Sequence, residues 1–384
     1  MKKKLTLFLL LSLITVISFN ACKSKDDKKI KLKEKEKIEK QSSDKKLNNM
    51  KIDELTVAAY DGNSEAALVL GKKFDFGINE NQNFYSALKW YKKADALKNK
   101  KAAVHIGYLY MNGLGTDKNL SVAKDYFKKA IKEKDIDGYA GLGQLYLENK
   151  DLKDSVSNAY YNIRRAYDSK SVMGKYLMGY LYEKGIGVEK NLKKAVKLYK
   201  SLSEKDFTKI NEDDEYPYCM AAIRMGIIYS SDSATDEEKK YAVEYFKKAS
   251  DREFLEGMYY TGAVYQTGIG VKKNYDRAIL YYKKAADKKY APAMNQLGYM
   301  YFNGYGVDID VKKAAYYFKL ASAQGYLGAL VNLGYMYENG YGEDKNLSLA
   351  KQYYNLAEKG GYEGAKEAIS RVNQLIKEKW WIRI

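Results

Sequence analysis

A glycine recurs along this chain in fixed phase. Gly71, Gly107, Gly143, Gly179, Gly226, Gly262, Gly298 and Gly334 follow one another at steps of 36 residues, with one step of 47 between Gly179 and Gly226. Four further columns keep that register when each glycine is position zero. Position +3 is aromatic from Phe74 to Tyr337, and position +16 is alanine from Ala87 to Ala350. Position +23 is alanine in every unit but one, where Leu202 stands, and position −5 is always Ala or Gly. Self-similarity at this period describes a stack of structural units, each touching its neighbours, rather than one closed core.

The unit Ala102–Ala130 shows what each period contains. Apolar residues around Gly107 (Ile106, Leu109, Tyr110) recur at helical spacing, which predicts a first helix, A. Asn112-Gly113 is a turn dipeptide that ends it, because glycine can take the positive φ a helix exit needs. Asn119 suits the N-cap of a second helix, B, over Leu120–Lys132, with Ala123, Tyr126, Phe127 and Ala130 on its inner face. Gly107 and Ala123 are small where the two helices cross, and Tyr110 is expected to fill the space beside that crossing. Such a hairpin cannot bury its apolar face alone and must stack on its neighbours. Only two prolines and 46% hydrophobic residues suit a helical stack with a continuous core.

These columns resemble the Sel1-like repeat, a relative of the tetratricopeptide repeat. The segments Leu297–Ser322 (LGYMYFNGYGVDIDVKKAAYYFKLAS) and Met178–Lys200 (MGYLYEKGIGVEKNLKKAVKLYK) carry the likeness most fully. The resemblance implies an all-α, right-handed α-solenoid of about eight helix-turn-helix repeats over residues 52–362, and a role in protein contacts. Repeats three and five lack the G-x-G turn and are expected to keep both helices while turning differently. The eleven extra residues fall within Lys205–Tyr216, where Glu212, Asp213, Asp214 and Glu215 make an acidic, solvated loop. Residues 363–384 read as a C-terminal capping helix (Glu363–Lys379) and an apolar tail that folds back onto the last repeat.

The first 21 residues are not part of that fold. Lys2–Lys4 followed by the short apolar run Leu5–Phe19 is the pattern of a signal peptide. Phe19-Asn20-Ala21-Cys22 resembles a bacterial lipobox, which makes Cys22 the lipidated first residue. Residues 22–51 then form a tether, with twelve lysines and six acidic residues in Lys23–Lys51, a composition too charged to fold alone. The expected location is the bacterial cell envelope, lipid-anchored. Lys23 rather than Asp after the cysteine favours the outer membrane where the source has one.

Little catalytic chemistry is available. The one histidine, His105, excludes two-histidine metal sites and argues against a Ser-His-Asp arrangement. Cys219 has no second thiol to pair with once Cys22 is lipidated, unlike the cysteine-rich secreted relatives credited with β-lactam chemistry, so that activity is not expected here. The G-x-G elements recur once per repeat and are not followed by G-K-[ST], so they read as turns rather than phosphate cradles. No enzyme, cofactor or metal is expected, and a hydrolase is the weakest of the alternatives. The net charge of +18 formally admits nucleic acid. An exported, tethered chain would not meet it, and the recurring Lys-Lys pairs sit on the outer face of helix B.

At 100° per residue the direction opposite the buried stripe of helix A is held by position +1, flanked by −3. Position +1 is Tyr108, Tyr180, Tyr299 and Tyr335, and position −3 is Tyr176 and Tyr259. These six are expected to line a concave groove that binds a peptide or protein segment. A cell-wall glycan stacking on the same rings is the alternative.

Overall fold

The computed structural model describes residues 47–76, 82–149, 154–210 and 215–381. The signal peptide, Cys22, most of the lysine-rich stretch, the acidic residues Glu212–Asp214 and the last three residues lie outside them. Among the described residues there are eighteen α-helices and no strand. The chain divides into two units, one through Ser171 and one from Val172.

The first unit holds α1 (Ile52–Tyr60), α2 (Ser64–Phe76), α3 (Phe84–Ala96), α4 (Ala102–Asn112), α5 (Leu120–Lys132), α6 (Asp137–Glu148) and α7 (Ser155–Asp168). The second holds α8 (Val172–Lys184), α9 (Leu192–Ser203), α10 (Glu215–Tyr229), α11 (Asp236–Ser250), α12 (Leu255–Thr267) and α13 (Tyr275–Asp287). It continues with α14 (Ala291–Asn303), α15 (Val311–Ser322), α16 (Leu327–Asn339), α17 (Leu347–Lys359) and α18 (Ala365–Trp381). Within each unit every helix packs on the next one along the chain. The hairpins α2/α3 to α16/α17 are repeats one to eight.

The periodic glycine acts at the A–B contact of each hairpin. A methyl added to Gly107 would lie 2.5 Å from the Phe127 ring, at Gly179 2.7 Å from Tyr199, at Gly226 2.5 Å from Phe246, and at Gly334 2.7 Å from Tyr354. The ring is therefore seated where a side chain would otherwise stand. It comes from position +20, not from position +3 as the sequence suggested. Tyr110 lies half-buried and stacks on Tyr126 at 6.0 Å and 9° instead. The alanines at +16 and +23, such as Ala123 and Ala130, are fully buried beside it.

Local chemistry sets the helix ends. Asn119 accepts a hydrogen bond from the Val122 amide at 3.0 Å, and Asn83, Asn191, Asn274, Asp310 and Asn346 repeat that cap. Gly113 closes α4 at φ 69°. Gly270, the second glycine of its G-x-G, presses so closely on the Lys239 carbonyl that an added methyl would overlap it.

Three elements frame the repeats. Helix α1, which the periodicity does not announce, buries Leu55 and Ala59 against the first hairpin, with Tyr60 edge-on to Trp90 at 5.6 Å. The insertion is not wholly a solvated loop. Phe207–Lys209 forms a 3-10 turn, and Phe207 packs half-buried against the cluster around Cys219 and Ile223. Helix α18 buries Ala365, Ala368 and Val372, the last two against α17.

Replacing Gly226 by Ala is expected to lower stability by about 1–3 kcal/mol, because the Phe246 ring must leave its seat. Gly328→Ala, whose added methyl meets only the movable Tyr326 ring at 3.1 Å, should be neutral or stabilise by up to about 1 kcal/mol. Urea denaturation followed by circular dichroism measures both, and equal effects would dismiss the ring contact as the cause.

Candidate functional site

The six candidate tyrosines do not share one environment. Tyr176 is only 7% exposed, with its ring 5.9 Å from Tyr199 of α9, and burial pushes its hydroxyl pKa well up. It is core, which corrects the expectation that it faces solvent. Tyr259 is half-buried among Tyr260, Tyr282 and Tyr290, at ring distances of 5.2, 5.8 and 6.0 Å. Both sit at position −3, and the structure turns that position toward helix B of the same hairpin, a neighbour that an isolated helical wheel omits. Tyr108 is half-buried, edge-on to Phe127 at 5.1 Å, with its hydroxyl shielded from solvent. Tyr180 is partly exposed, with the Lys184 ammonium 6.0 Å from its ring centre.

Tyr299 and Tyr335 are the open ones, at 41% and 42% exposure. They do not stand alone. Tyr305, at the middle of Gly304-Tyr305-Gly306, lies 5.8 Å from Tyr299 and stacks on Tyr275 at 5.2 Å and 12°. Tyr341, at the middle of Gly340-Tyr341-Gly342, lies 5.9 Å from Tyr335 and is itself 41% exposed. Phe302 bridges the repeats at 6.2 Å from Tyr335 and 5.7 Å from Tyr341. The result is a strip of six rings along the hairpin-turn edge of repeats six to eight, all within the second unit. Sequence reasoning missed its turn residues, although a signal was available. The middle residue of G-x-G is Leu114, Ile186 or Ile269 in the earlier turns and Tyr only in the last two.

A second set of polar side chains is buried between helices. Tyr91, Tyr199, Tyr282 and Tyr354, all at position +20, donate to Asp75 (2.9 Å), Glu183 (3.0 Å), Gln266 (2.6 Å) and Glu338 (2.8 Å), all at position +4. Where +20 is Phe, in Phe127, Phe246 and Phe318, position +4 is Met111, Ser230 and Phe302. The two columns change together because a buried hydroxyl needs a partner. Two of the carboxylates also receive a guanidinium from a later helix. Arg224 of α10 donates through Nε to Glu183 at 2.9 Å, and Arg371 of α18 grips Glu338 at 2.7 and 2.8 Å. Burial pulls the Glu183 carboxyl upward, but hydrogen bonds from Arg224 and Lys184 outweigh it and hold the pKa below the usual value. The Arg371 bonds do the same for Glu338 against the opposing pull of burial.

These groups tie helices together within and between repeats. His105 lies flat on Tyr91, 4.6 Å away at 11°. Cys219 is buried, and desolvation pushes its thiol pKa far up, which leaves it protonated and unreactive at neutral pH. Among the described residues no group of three His, Cys, Asp or Glu is placed to hold a metal.

No guanidinium among the described residues is paired with Asp75, and burial lifts its pKa from 3.8 to about 6 against the opposing Tyr91 hydrogen bond. The folded state thus holds this proton more tightly than the unfolded chain, and the stability it contributes is lost as pH rises from about 4 to about 6. Asp75→Asn should remove that slope and stabilise the protein at pH 7.5 by about 1–3 kcal/mol. Glu183→Gln should do the reverse, costing about 2–4 kcal/mol at pH 7.5 by stranding Arg224. That gap should close as pH falls below the ordinary glutamate value of 4.5. Denaturation midpoints across pH measure both signs.

Comparison with known proteins agrees with this geometry. The family described as Sel1 repeat matches residues 64–94, 100–135, 172–207, 219–254, 255–290, 291–326 and 328–362. The third hairpin, α6/α7, is the one left unmatched. A Sel1 repeat protein from Oxalobacter formigenes is similar at TM-score 0.50 and 18% identity, over 85% of this chain and 92% of that one. A protective antigen of uropathogenic Escherichia coli displaying an SLR fold aligns at 23% identity and TM-score 0.33, over 84% of this chain and 82% of its own. An immunity protein from Pseudomonas aeruginosa aligns at 20% identity and TM-score 0.43, over 58% and 81%. No match was found among curated proteins. With seven matched repeats covering more than half its length and the hairpin stack that such repeats build, the chain belongs to the Sel1 repeat family.

Proposed function

We propose that this chain is a non-enzymatic scaffold that holds an extended segment of another protein against the tyrosine strip of repeats six to eight. Its anchor is a lipid on Cys22, which keeps it at the bacterial cell envelope, on the outer membrane where one exists. Sel1 repeat proteins in general mediate protein–protein interaction, and the family is typically non-catalytic. The observation that carries the reading is the exposure of Tyr299, Tyr335 and Tyr341, each set against another ring of repeats seven and eight. Large rings left in water in register cost solubility and suit contact, since tyrosine is rigid, amphipathic and able to hydrogen-bond.

A glycan would need open ring faces on which to stack. Here the Tyr305 face is already covered by Tyr275, and Tyr335 and Tyr341 are tilted against one another at 47°. Ring edges and hydroxyls remain, and these suit the alternating donors and acceptors of an extended backbone. Cell-wall glycan is therefore the less favoured ligand.

A photo-crosslinking residue at position 335, in intact cells, should give a discrete protein adduct. One at position 85, a tyrosine 72% exposed on α3, should give none. Changing Tyr299, Tyr305 and Tyr341 together to Ala should reduce that adduct at least about tenfold while leaving the circular dichroism spectrum unchanged. Adducts of equal yield at both positions would contradict the strip, and adducts to cell-wall glycan would replace the protein ligand. Cys22→Ser should move the protein from the membrane to the soluble fraction, and unchanged fractionation would refute the anchor.

A further inference from the structure

The strip has unlike ends. At the repeat-six end, Lys272, Lys273 and Arg277 line a cleft of about 410 Å³ together with Tyr265, Val271 and Asn274. The Lys273 ammonium stands 5.9 Å from the centre of the Tyr275 ring, so one residue of the cleft lining also neighbours the first ring of the row. Lys272 and Lys273 are exposed, while Arg277 is held over Tyr265 at 5.3 Å. The next turn along, in repeat seven, carries Asp308 and Asp310, both exposed. With the exposed residues that follow each turn, Asp276 and Arg277 in repeat six and Lys312 and Lys313 in repeat seven, the excess of positive charge lies at the repeat-six end.

We infer that the strip takes an extended, proline- or leucine-rich segment whose acidic residues lie at one end only, the end over Lys272 and Lys273. This rests on the reading of the strip as a protein-binding surface and adds the chemistry and polarity of the ligand.

Adjacent packed helices lie roughly 8–10 Å apart, and an extended chain advances about 3.3 Å per residue, so the row accommodates about six residues. The rings form two clusters, Tyr275–Tyr305–Tyr299 and Phe302–Tyr335–Tyr341, each of which takes one ring from α14, Tyr299 and Phe302, three residues apart. Apolar side chains suit a row of rings, and a proline-rich segment loses little entropy on being held extended. Charge complementarity then fixes the register: carboxylates gain at the lysine end and are repelled by Asp308 at the next turn.

The test uses the full chain carrying Cys22→Ser and four synthetic peptides that share one proline-leucine-tyrosine centre. One has three aspartates at one end, one has aspartates at both ends, one has three lysines at one end, and one is flanked by serines. Fluorescence anisotropy at low salt should rank the one-ended acidic peptide first, roughly fivefold tighter than the serine-flanked one. Lys272→Glu with Lys273→Glu should erase that advantage while leaving the serine-flanked peptide unchanged. Should the serine-flanked peptide bind as tightly as the acidic one, the polarity is wrong and the protein-binding strip stands. Should the lysine-flanked or doubly acidic peptide win, the charge assignment is overturned. Should none of the four bind, the strip itself fails as a peptide site, and this inference fails with it.

Discussion

Eight times along the chain, a glycine on one helix faces a bulky side chain of the next, at a distance no added carbon could share. The partners are Tyr91, Phe127, Ile163, Tyr199, Phe246, Tyr282, Phe318 and Tyr354, with hypothetical methyl contacts between 2.4 and 2.8 Å. Each hairpin closes around that seat. The ring rather than the backbone crossing fills the space, so two helices can nest while a large apolar area leaves water. Close packing of this kind tolerates neither a void nor an extra methyl without cost.

The choice of side chain at that seat propagates outward. A phenylalanine asks nothing more of its surroundings, and the facing position can be Met111 or Phe302. A tyrosine brings a hydroxyl that must be satisfied, and Asp75, Glu183, Gln266 or Glu338 answers it. A buried carboxylate in turn needs a cation. Arg224 supplies one from the following repeat, and Arg371 supplies one from the terminal helix α18, so a hydrogen bond inside one hairpin becomes an ion pair between elements. At Asp75 no guanidinium among the described residues arrives, and the carboxyl bears the cost of burial. The repeats are alike in backbone and unlike in electrostatics for this reason.

Much of this was legible from residue order alone. The period, the paired helices, the asparagine caps and the small columns follow from spacing, because each is set within one repeat. In the insertion Phe207 packs on the core, an anchor that the charged-loop composition conceals. Helix α1 escaped because nine residues lie outside the period. The turn from helix B to the next helix A was also invisible. It holds Lys98, Lys134, Lys170, Glu253 and Lys289 at positive φ, where only Gly325 and Gly361 would have signalled it. Of the six candidate tyrosines, Tyr299 and Tyr335 lie exposed as their phase predicts, whereas Tyr176 is core. A single helical wheel has one solvent direction, and a helix in a stack has neighbours on several sides. The strip's turn residues, Tyr305 and Tyr341, needed the fold to bring them beside helix A.

The exposed strip depends on the same seat, since the glycine-ring contact fixes how α14 and α16 lie against their partner helices and hence where Tyr299 and Tyr335 emerge. The most direct measurement is a double-mutant cycle on Gly298 and Phe318, where a methyl would come within 2.7 Å of the ring. Gly298→Ala and Phe318→Leu should each destabilise, and the double variant should cost at least about 1 kcal/mol less than their sum, because the smaller side chain frees room for the methyl. Additive costs, within about 0.5 kcal/mol, would mean that the glycine and the ring do not meet and that the packing rule set out above is wrong.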